Sequence, residues 1–595
     1  MVGSPSAAPD GPVRVTITSD GQPIADDIAI FAVEVRAAIG RIPSATIIVG
    51  DGDMPTNKWP IADSATFVPG TAITIKAGRG NDEHIIFEGI VVALGARIDQ
   101  ANASRLHIEC QDKSVKMSLG RANANHVHKT DSDIISALIR AHGLTADVAT
   151  TATTYRELVQ YGCTDWDFML VRSEANGMVV IADAGKVVVK PPATGGEPVL
   201  EVTWGTDLFD FRADIDARSQ IETTNAFAWD PKNQAIVQAS APAKTLNRQG
   251  NLHAAALAGA LDRKPQTLQS ATMLDHGALQ AWARAQQVKA GLARIQGSMA
   301  FTGSAKAKVG SLVKLAGVGA RYDGSVYLGA VTHEISDGEW RTRADFGLPA
   351  TWFAERPDVS APAAGGWVPG AAGLQVGVVM KLDADPAGEH RVQVEIPVLQ
   401  NEHKGLWARL LQPYASKGFG AFHVPEIGDE VVIGYFNDDP SNPVILGGLY
   451  SSNRAPPYPI EAENNTKAFV SRCKARIEIN DKDAIVTIKT PANNTVVLDD
   501  KDKSILLKDQ HGNSIKLDAS GIVIDSVKDI TMTAKGAISA KAELAIDLTA
   551  TGNFTAKGLD ATVEAQASIT CKGAASAEFS ASGQTTVRGA VVMIN

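Results

Sequence analysis

Cysteine is scarce in this chain, with four residues in 595: Cys110, Cys163, Cys473 and Cys571. Scattered so widely, they offer neither a disulfide framework nor the spacing of a zinc site. Basic charge is outweighed, 56 Lys and Arg against 66 Asp and Glu, for a net charge of −10. That balance argues against a nucleic-acid binder working by phosphate neutralisation. No run of about 18 apolar residues exists, so nothing is expected to span a bilayer as a helix. The first twelve residues are rich in Ser, Ala, Pro and Gly and lack a basic n-region and an apolar h-region. They read as a flexible arm instead of a signal peptide, so if the protein leaves a cell, something other than the general secretory route is expected to carry it. What remains, 44% hydrophobic and 21% charged, is the composition of an ordinary soluble protein of several domains.

The pattern is mostly strand. "VRVTI" from Val13, "ATIIVG" from Ala45, "TAITIKAG" from Thr71 and "EHIIFEGIVVALGA" from Glu83 are separated by Gly, Pro and Asp turns. Two short amphipathic helices interrupt them. "DSDIISALIRAHG" starts at Asp131 with Ile134, Ile135, Leu138 and Ile139 on one face, and "TDWDFMLVRSEANG" is capped near Thr164 and closed by Gly177. A third helix is expected around "GALQAWARAQQVKAGLARIQG". "PDVSAPAAGGWVPGAAG" then reads as a linker, followed by a strand-rich unit from Leu374 to about Tyr450, a size suited to one small barrel.

The C-terminal stretch "GIVIDSVKDITMTAKGAISAKAELAIDLTATGNFTAKG" carries a large apolar residue every eighth position: Ile522, Ile530, Ile538, Ile546 and Phe554. Even positions are mostly apolar and odd ones mostly polar, a strand alternation. After Gly558 the phase shifts by one and the octad resumes as Val563, Cys571, Phe579 and Val587. A bulge or bend near 559–561 is expected to absorb the shift. In a single chain so thin an apolar stripe would stay wet.

Three groups of residues carry a resemblance. In the small barrel they are "HRVQVEIP", the tryptophan of "LWARL" and "VPEIGDEVVIGYFNDDPSNPVILGGLY". In the head they are "FEGIV", "TDWDFMLVRSEANGM" and "GVGARYDGSVYLGAVTHEISDGEWRT". The third is the octad tail ending "GAVVMIN". Together they resemble the Vgr (VgrG-like) central spike family of contractile injection systems, type VI secretion and extracellular phage-tail-like particles included, related to contractile-phage hubs and spikes. The resemblance implies a mainly β chain with a flexible arm (1–12) and a tail-hub-like head of two barrel-like domains with short helices (13–355). A linker (356–373), an OB-fold neck (374–450) and a connector (451–475) lead to an intertwined trimeric β-prism or β-helix spike (476–595). It implies a homotrimer whose needle axis is lined by the octad residues, and partners comprising a hexameric inner tube protein, baseplate and hub proteins and the target cell envelope. It also implies a PAAR-like tip protein seated on the apolar end formed by Val591, Val592, Met593, Ile594 and Asn595. Such a chain is made in the bacterial cytoplasm, assembled into the particle and delivered outward.

Chemistry finds few candidates. Pro425, Gly428, Asp429, Gly447 and Gly448 read as turn residues of the barrel. "HVH" places His126 and His128 on one strand face, a metal spacing without accompanying ligands. His333 stands beside Glu334 and Asp337, but alternation separates the first two and no nucleophile is near. "DGD" at 51 and "NDDP" at 437 lack the ligand spacing of a calcium loop. Cys163 and Cys571 fall on apolar patterns as small hydrophobes. Within the barrel, Trp407, Tyr414, Phe419 and Phe422 near Arg409 and Lys417 are too few for a nucleic-acid surface. No cofactor, metal, nucleic-acid partner or enzymatic activity is therefore expected. Roughly two dozen residues separate barrel from octads, too few for a cell-wall hydrolase, and no effector domain is expected after Asn595. The alternatives are a β-helical receptor-binding tail fibre or tailspike, against which the large head argues, and a spike-associated hydrolase.

Overall fold

The structure is a computed structural model, and it describes residues 3–7, 11–271, 273–399 and 405–594. Strands hold 39% of the chain and helices 12%, so the fold is mainly β. It divides into two units, 1–449 and 450–595.

The first lobe of the head is built by strict alternation. Its strands are β1 (Val13–Ser19), β2 (Ile30–Ala38), β3 (Ser44–Gly50), β4 (Ala72–Arg79), β5 (Asp82–Ile98) and β6 (Ser104–Gln111). In β3, Ala45, Ile47 and Val49 are buried between half-exposed neighbours, and they meet Val33, Ile75 and Ile108 in one core. Next come β7 (Ala122–Thr130), α1 (Asp131–Ala141), β8 (Thr145–Val148), β9 (Thr154–Cys163), α2 (Asp165–Ala175), β10 (Val179–Asp183) and β11 (Lys186–Lys190). The Thr130 hydroxyl accepts from the Asp133 amide and the Thr164 hydroxyl from the Asp167 amide, so both helices start at side-chain caps.

The second lobe comprises β12 (Leu200–Thr203), β13 (Leu208–Ile215), β14 (Thr223–Asp230), β15 (Ala235–Pro242), β16 (Gln266–Ser270), α3 (His276–Leu292), β17 (Ile295–Thr302), β18 (Leu312–Ala316), β19 (Gly324–Ser336) and β20 (Glu339–Phe346). Val202, Phe301, Val313, Leu328 and Phe346 form its core. Strands β14, β15 and β16 form a separate three-stranded sheet, and β1 to β6 share one thirteen-stranded sheet with the other strands of the second lobe. The lobes are fused because β2 pairs antiparallel with β19, from Ala38↔Ala330 to Ala32↔Ser336.

Two segments read as loose are held. Ser4 donates its hydroxyl to Asp207 (2.5 Å) and the Gly3 carbonyl accepts from the Glu201 amide (3.2 Å), so the described part of the arm docks on the second lobe. The linker is gripped at both ends. Arg121 donates to the Ser360 carbonyl (2.7 Å), and the Ala371 amide donates to the Asp438 carbonyl (2.8 Å).

Strands β21 (Gln375–Lys381), β22 (Val392–Glu395), β23 (Leu406–Leu410), β24 (Glu430–Tyr435) and β25 (Pro443–Gly448) close into a barrel in the order β21-β22-β23-β25-β24. Val379, Val394, Ala408, Val431, Ile433 and Ile445 fill it.

The second unit contains seven five-residue strands: β26 (Thr466–Val470), β27 (Arg476–Asn480), β28 (Ile485–Lys489), β29 (Thr495–Asp499), β30 (Ser504–Lys508), β31 (Ser514–Asp518) and β32 (Gly521–Asp525). Each pairs antiparallel with the next in one meander. Asn and Asp side chains hold the tight turns: Asn480 Oδ1 accepts from the Lys482 and Asp483 amides, and Asp509 Oδ1 from the His511 and Asn513 amides. The spike was expected to be intertwined from 476 onward, but through Asp525 its backbone is paired within one chain. From Ser526 to Ile594 no intrachain strand forms.

Candidate oligomerisation face and needle end

Register places the second and fourth residues of every strand in the meander on one face. One row runs Phe469, Ile477, Ile488, Val496, Leu507, Ile515, Ile524, and the other Lys467, Ile479, Val486, Leu498, Ile505, Leu517, Ile522. Thirteen of these fourteen side chains are large and apolar. The opposite face is mixed, with the ion pairs Arg476–Glu478 at 3.0 Å and Lys516–Asp518 at 2.9 Å beside Val497, Leu506 and Val523. There the Ser520 hydroxyl, with Lys516, holds the Asp518 carboxyl well below the usual range.

Exposure is inverted relative to an ordinary sheet. In β27 Ile477 and Ile479 are the exposed residues, 47% and 41%, while Arg476, Glu478 and Asn480 are half-buried. Ile488, Leu498 and Leu507 are likewise more than 40% exposed. A single sheet cannot cover its own apolar face, and leaving an isoleucine there in water forfeits about 1 kcal/mol or more per side chain.

Beyond β32 the octad residues Ile530, Ile538, Ile546, Phe554, Val563, Phe579 and Val587 are all more than half exposed. Cys571 is exposed in the single chain as well. Ile522 alone of the octad set lies in a strand, β32, and it shares its face with Leu517. Leu559 and Asp560 form a bend, one of the forms expected for the phase change, though no strand flanks it in the single chain. Val591, Val592, Met593 and Ile594 are exposed in the single chain, and Asn595 lies outside the described residues.

In the barrel, Gly428 adopts φ +84° in a turn that latches onto β21: its amide donates to the Val379 carbonyl (2.7 Å), and the Val379 amide donates to the Asp429 carbonyl (3.0 Å). Asp429 Oδ2 accepts from the Glu426 amide, closing the turn that follows Pro425. Gly447 and Gly448 are not turn residues. They end β25, paired with Val432 and Val431, with φ outside the left-handed region.

Three comparisons bear on these features. Residues 9–337, more than half of the chain, match the family model of the Alg8 N-terminal domain. The chain belongs to that family. Behind its Alg8-type head, residues 375–450 match the type VI secretion system/phage-baseplate injector OB domain, and 485–595 the phage baseplate V C-terminal trimerisation domain. The whole is VgrG-like. The spike protein VgrG1a of Pseudomonas aeruginosa is 33% identical over 72 residues, 12% of this chain and 11% of that protein. The actin cross-linking toxin VgrG1 of Vibrio cholerae is 36% identical over 70 residues, 12% of this chain and 6% of that one. The match thus spans about a tenth or less of the length of these relatives. Among solved structures, the E. coli type VI secretion component c3393 is similar with a TM-score of 0.37 and 14% identity, over 73% of this chain and 99% of that one.

The VgrG-like chain's candidate chemical residues fall into structural roles. His126 stacks on Phe168 with ring centroids 5.7 Å apart, whereas His128 is exposed with φ +51°, so the two do not share a strand face. His333 is buried, Nδ1 3.1 Å from the Thr342 hydroxyl, and burial pushes its imidazole down to about 4. Asp51 accepts from the amides of Gly52, Ile61 and Ala62, which makes the first acidic pair a loop organiser. Sequence reasoning missed the complete network around Asp131. Its carboxylate accepts from Arg172 Nε (2.7 Å), Asn176 Nδ2 (2.7 Å) and the Tyr155 hydroxyl (3.1 Å), tying α1, α2 and β9 together. It also missed the repeated five-residue unit with apolar second and fourth residues, visible in "RIEIN", "IVTIK", "TVVLD", "SILLK" and "SIKLD".

Proposed function

We propose that three copies of this chain form the spike of a contractile injection apparatus. Their heads join a hexameric inner tube and baseplate, and their C-terminal halves form a needle that carries a tip protein and breaches a target envelope. The observation that supports this most is the apolar face of the meander, thirteen large side chains of which one chain leaves ten exposed and three half-buried. Its position across the start of a trimerisation-domain match gives the number of copies. Three sheets set face to face would bury both rows in a narrow prism. The segment 526–594 would take its backbone partners from the other copies, with Ile530, Ile538, Ile546, Phe554, Val563, Cys571, Phe579 and Val587 along the axis. Val591 to Asn595 would then make a small apolar platform for the tip protein. The role is mechanical and non-enzymatic, and the chain leaves the cytoplasm as part of the particle.

Electron microscopy of assembled particles containing this chain tests the proposal. Density for the chain on the threefold axis at the tube end is expected, whereas density at the particle periphery would favour a receptor-binding fibre. A chain lacking residues 592–595 should still join the particle but lose the tip protein. Undiminished tip retention would remove the platform from the account.

A further inference from the structure

Over the meander the three copies meet through side chains alone, so within that part of the needle something must fix how far along each other the sheets sit. Six of the seven strands offer little, since β27 to β32 each present two aliphatic residues of similar size to the shared face. Sliding one sheet by a single strand, about 4.8 Å, would again set aliphatic against aliphatic. Only β26 breaks the pattern. It presents Lys467 and Phe469, opposite Ile479 and Ile477 of β27. The Lys467 ammonium is 2.6 Å from Asp481 Oδ2, and the Asn464 carbonyl also accepts from it. Both members of the ion pair are about half exposed in the single chain.

We propose that the β26–β27 hairpin is the register key of the trimer, an inference that rests on the trimeric reading above. In the aligned assembly three Lys467–Asp481 pairs meet in one layer and close the N-terminal end of the apolar rows, beside a layer of three phenylalanines. In a slipped assembly the ammonium of one chain lies against Ile479 or Val486 of the next, where a charge withdrawn from water without its partner is costly. A polar group at one position of an otherwise uniform apolar seam specifies alignment in the same way in coiled coils. The key lies in residues 466–481, ahead of the match to the trimerisation domain at 485–595, so the shared face reaches one hairpin further than that domain.

Cross-linking in the full-length chain tests this, after Cys473→Ser and Cys571→Ser remove the exposed thiols. Chains carrying Val486→Cys and chains carrying Leu498→Cys, neighbours in one row, are co-produced and oxidised. A disulfide needs its Cβ atoms within roughly 4.5 Å, so it separates aligned from slipped layers. With Lys467 intact, like pairs (486–486 and 498–498) should exceed mixed pairs (486–498) at least tenfold. With Lys467→Leu the chains should remain trimeric while the ratio falls to within twofold of one. Exchanging the pair, Lys467→Asp with Asp481→Lys, should restore the preference, which loss of folding would not allow. An unchanged ratio in the Lys467→Leu chains, or no recovery on exchange, overturns the key. Absence of any interchain disulfide in the parent, with a monomeric mass, would instead overturn the trimer on which it rests.

Discussion

At the scale of single residues, the polar groups buried in the head determine how it responds to pH and mutation. His333 titrates near 6.5 in an unfolded chain but only near 4 in the fold, because burial disfavours the imidazolium. Between those values the unfolded state binds the proton and the folded state does not. Stability is therefore full above about pH 6.5, falls as pH drops toward 4 and levels off below, by about 3 kcal/mol in all. His333→Gln should remove that component, seen as a smaller loss of the urea midpoint between pH 7 and pH 4.5 than in the parent. Asp131 is 1% exposed and faces Arg172. Asp131→Ala should cost about 3–5 kcal/mol by leaving the guanidinium unpaired, and Arg172→Met added to it should recover much of that in chemical denaturation. The cap at Thr164 was legible because its hydroxyl acts on an amide three residues away, whereas the Thr130 cap of α1 was not read. The Asp131 network was not legible, since Tyr155, Arg172 and Asn176 lie 24 to 45 residues along the chain. The pairing of His126 with His128 failed because alternation assumes extended backbone, and His128 departs from it at φ +51°.

At the scale of elements, the meander and the octad segment divide the second unit by where their backbone partners lie. In β26 to β32 every strand finds its neighbours within ten or so residues, so antiparallel pairing forms in one chain and only side chains await a partner. Beyond Asp525 the alternation in the sequence is as regular, yet no strand pairs within the chain. Period-two patterning reports which face is apolar, not whose amides and carbonyls will satisfy the strand. That is why the octads read as strand in the sequence although the described chain forms none beyond Asp525. Leu498→Asp in β29 or Ile538→Asp in the octads should abolish or severely weaken association, because each copy would bring one carboxylate into the shared apolar interior. Glu478→Ala, on the opposite face, should leave it unchanged. Sedimentation of the three variants beside the parent checks the contrast, and trimers in the Leu498→Asp chain would place the shared face elsewhere.

At the scale of the whole molecule, much was legible in local signals: turn residues and alternation marked a β-rich head and a small barrel, and the barrel matches an injector OB domain over 375–450. Pairing of β2 with β19 was not legible, because it joins strands nearly three hundred residues apart, and it links the two lobes through one continuous sheet. Nor could composition show that the linker and part of the arm are held, since Arg121 and Asp207 act from distant segments. In the proposed spike, the apolar face of the second unit is covered by two further copies of the same chain. Native mass spectrometry of the purified chain at nanomolar concentration tests it most directly. The account predicts a single species of three times 62.5 kDa that persists on dilution. A folded species of 62.5 kDa, with the β26–β32 face still accessible to solvent, would contradict it.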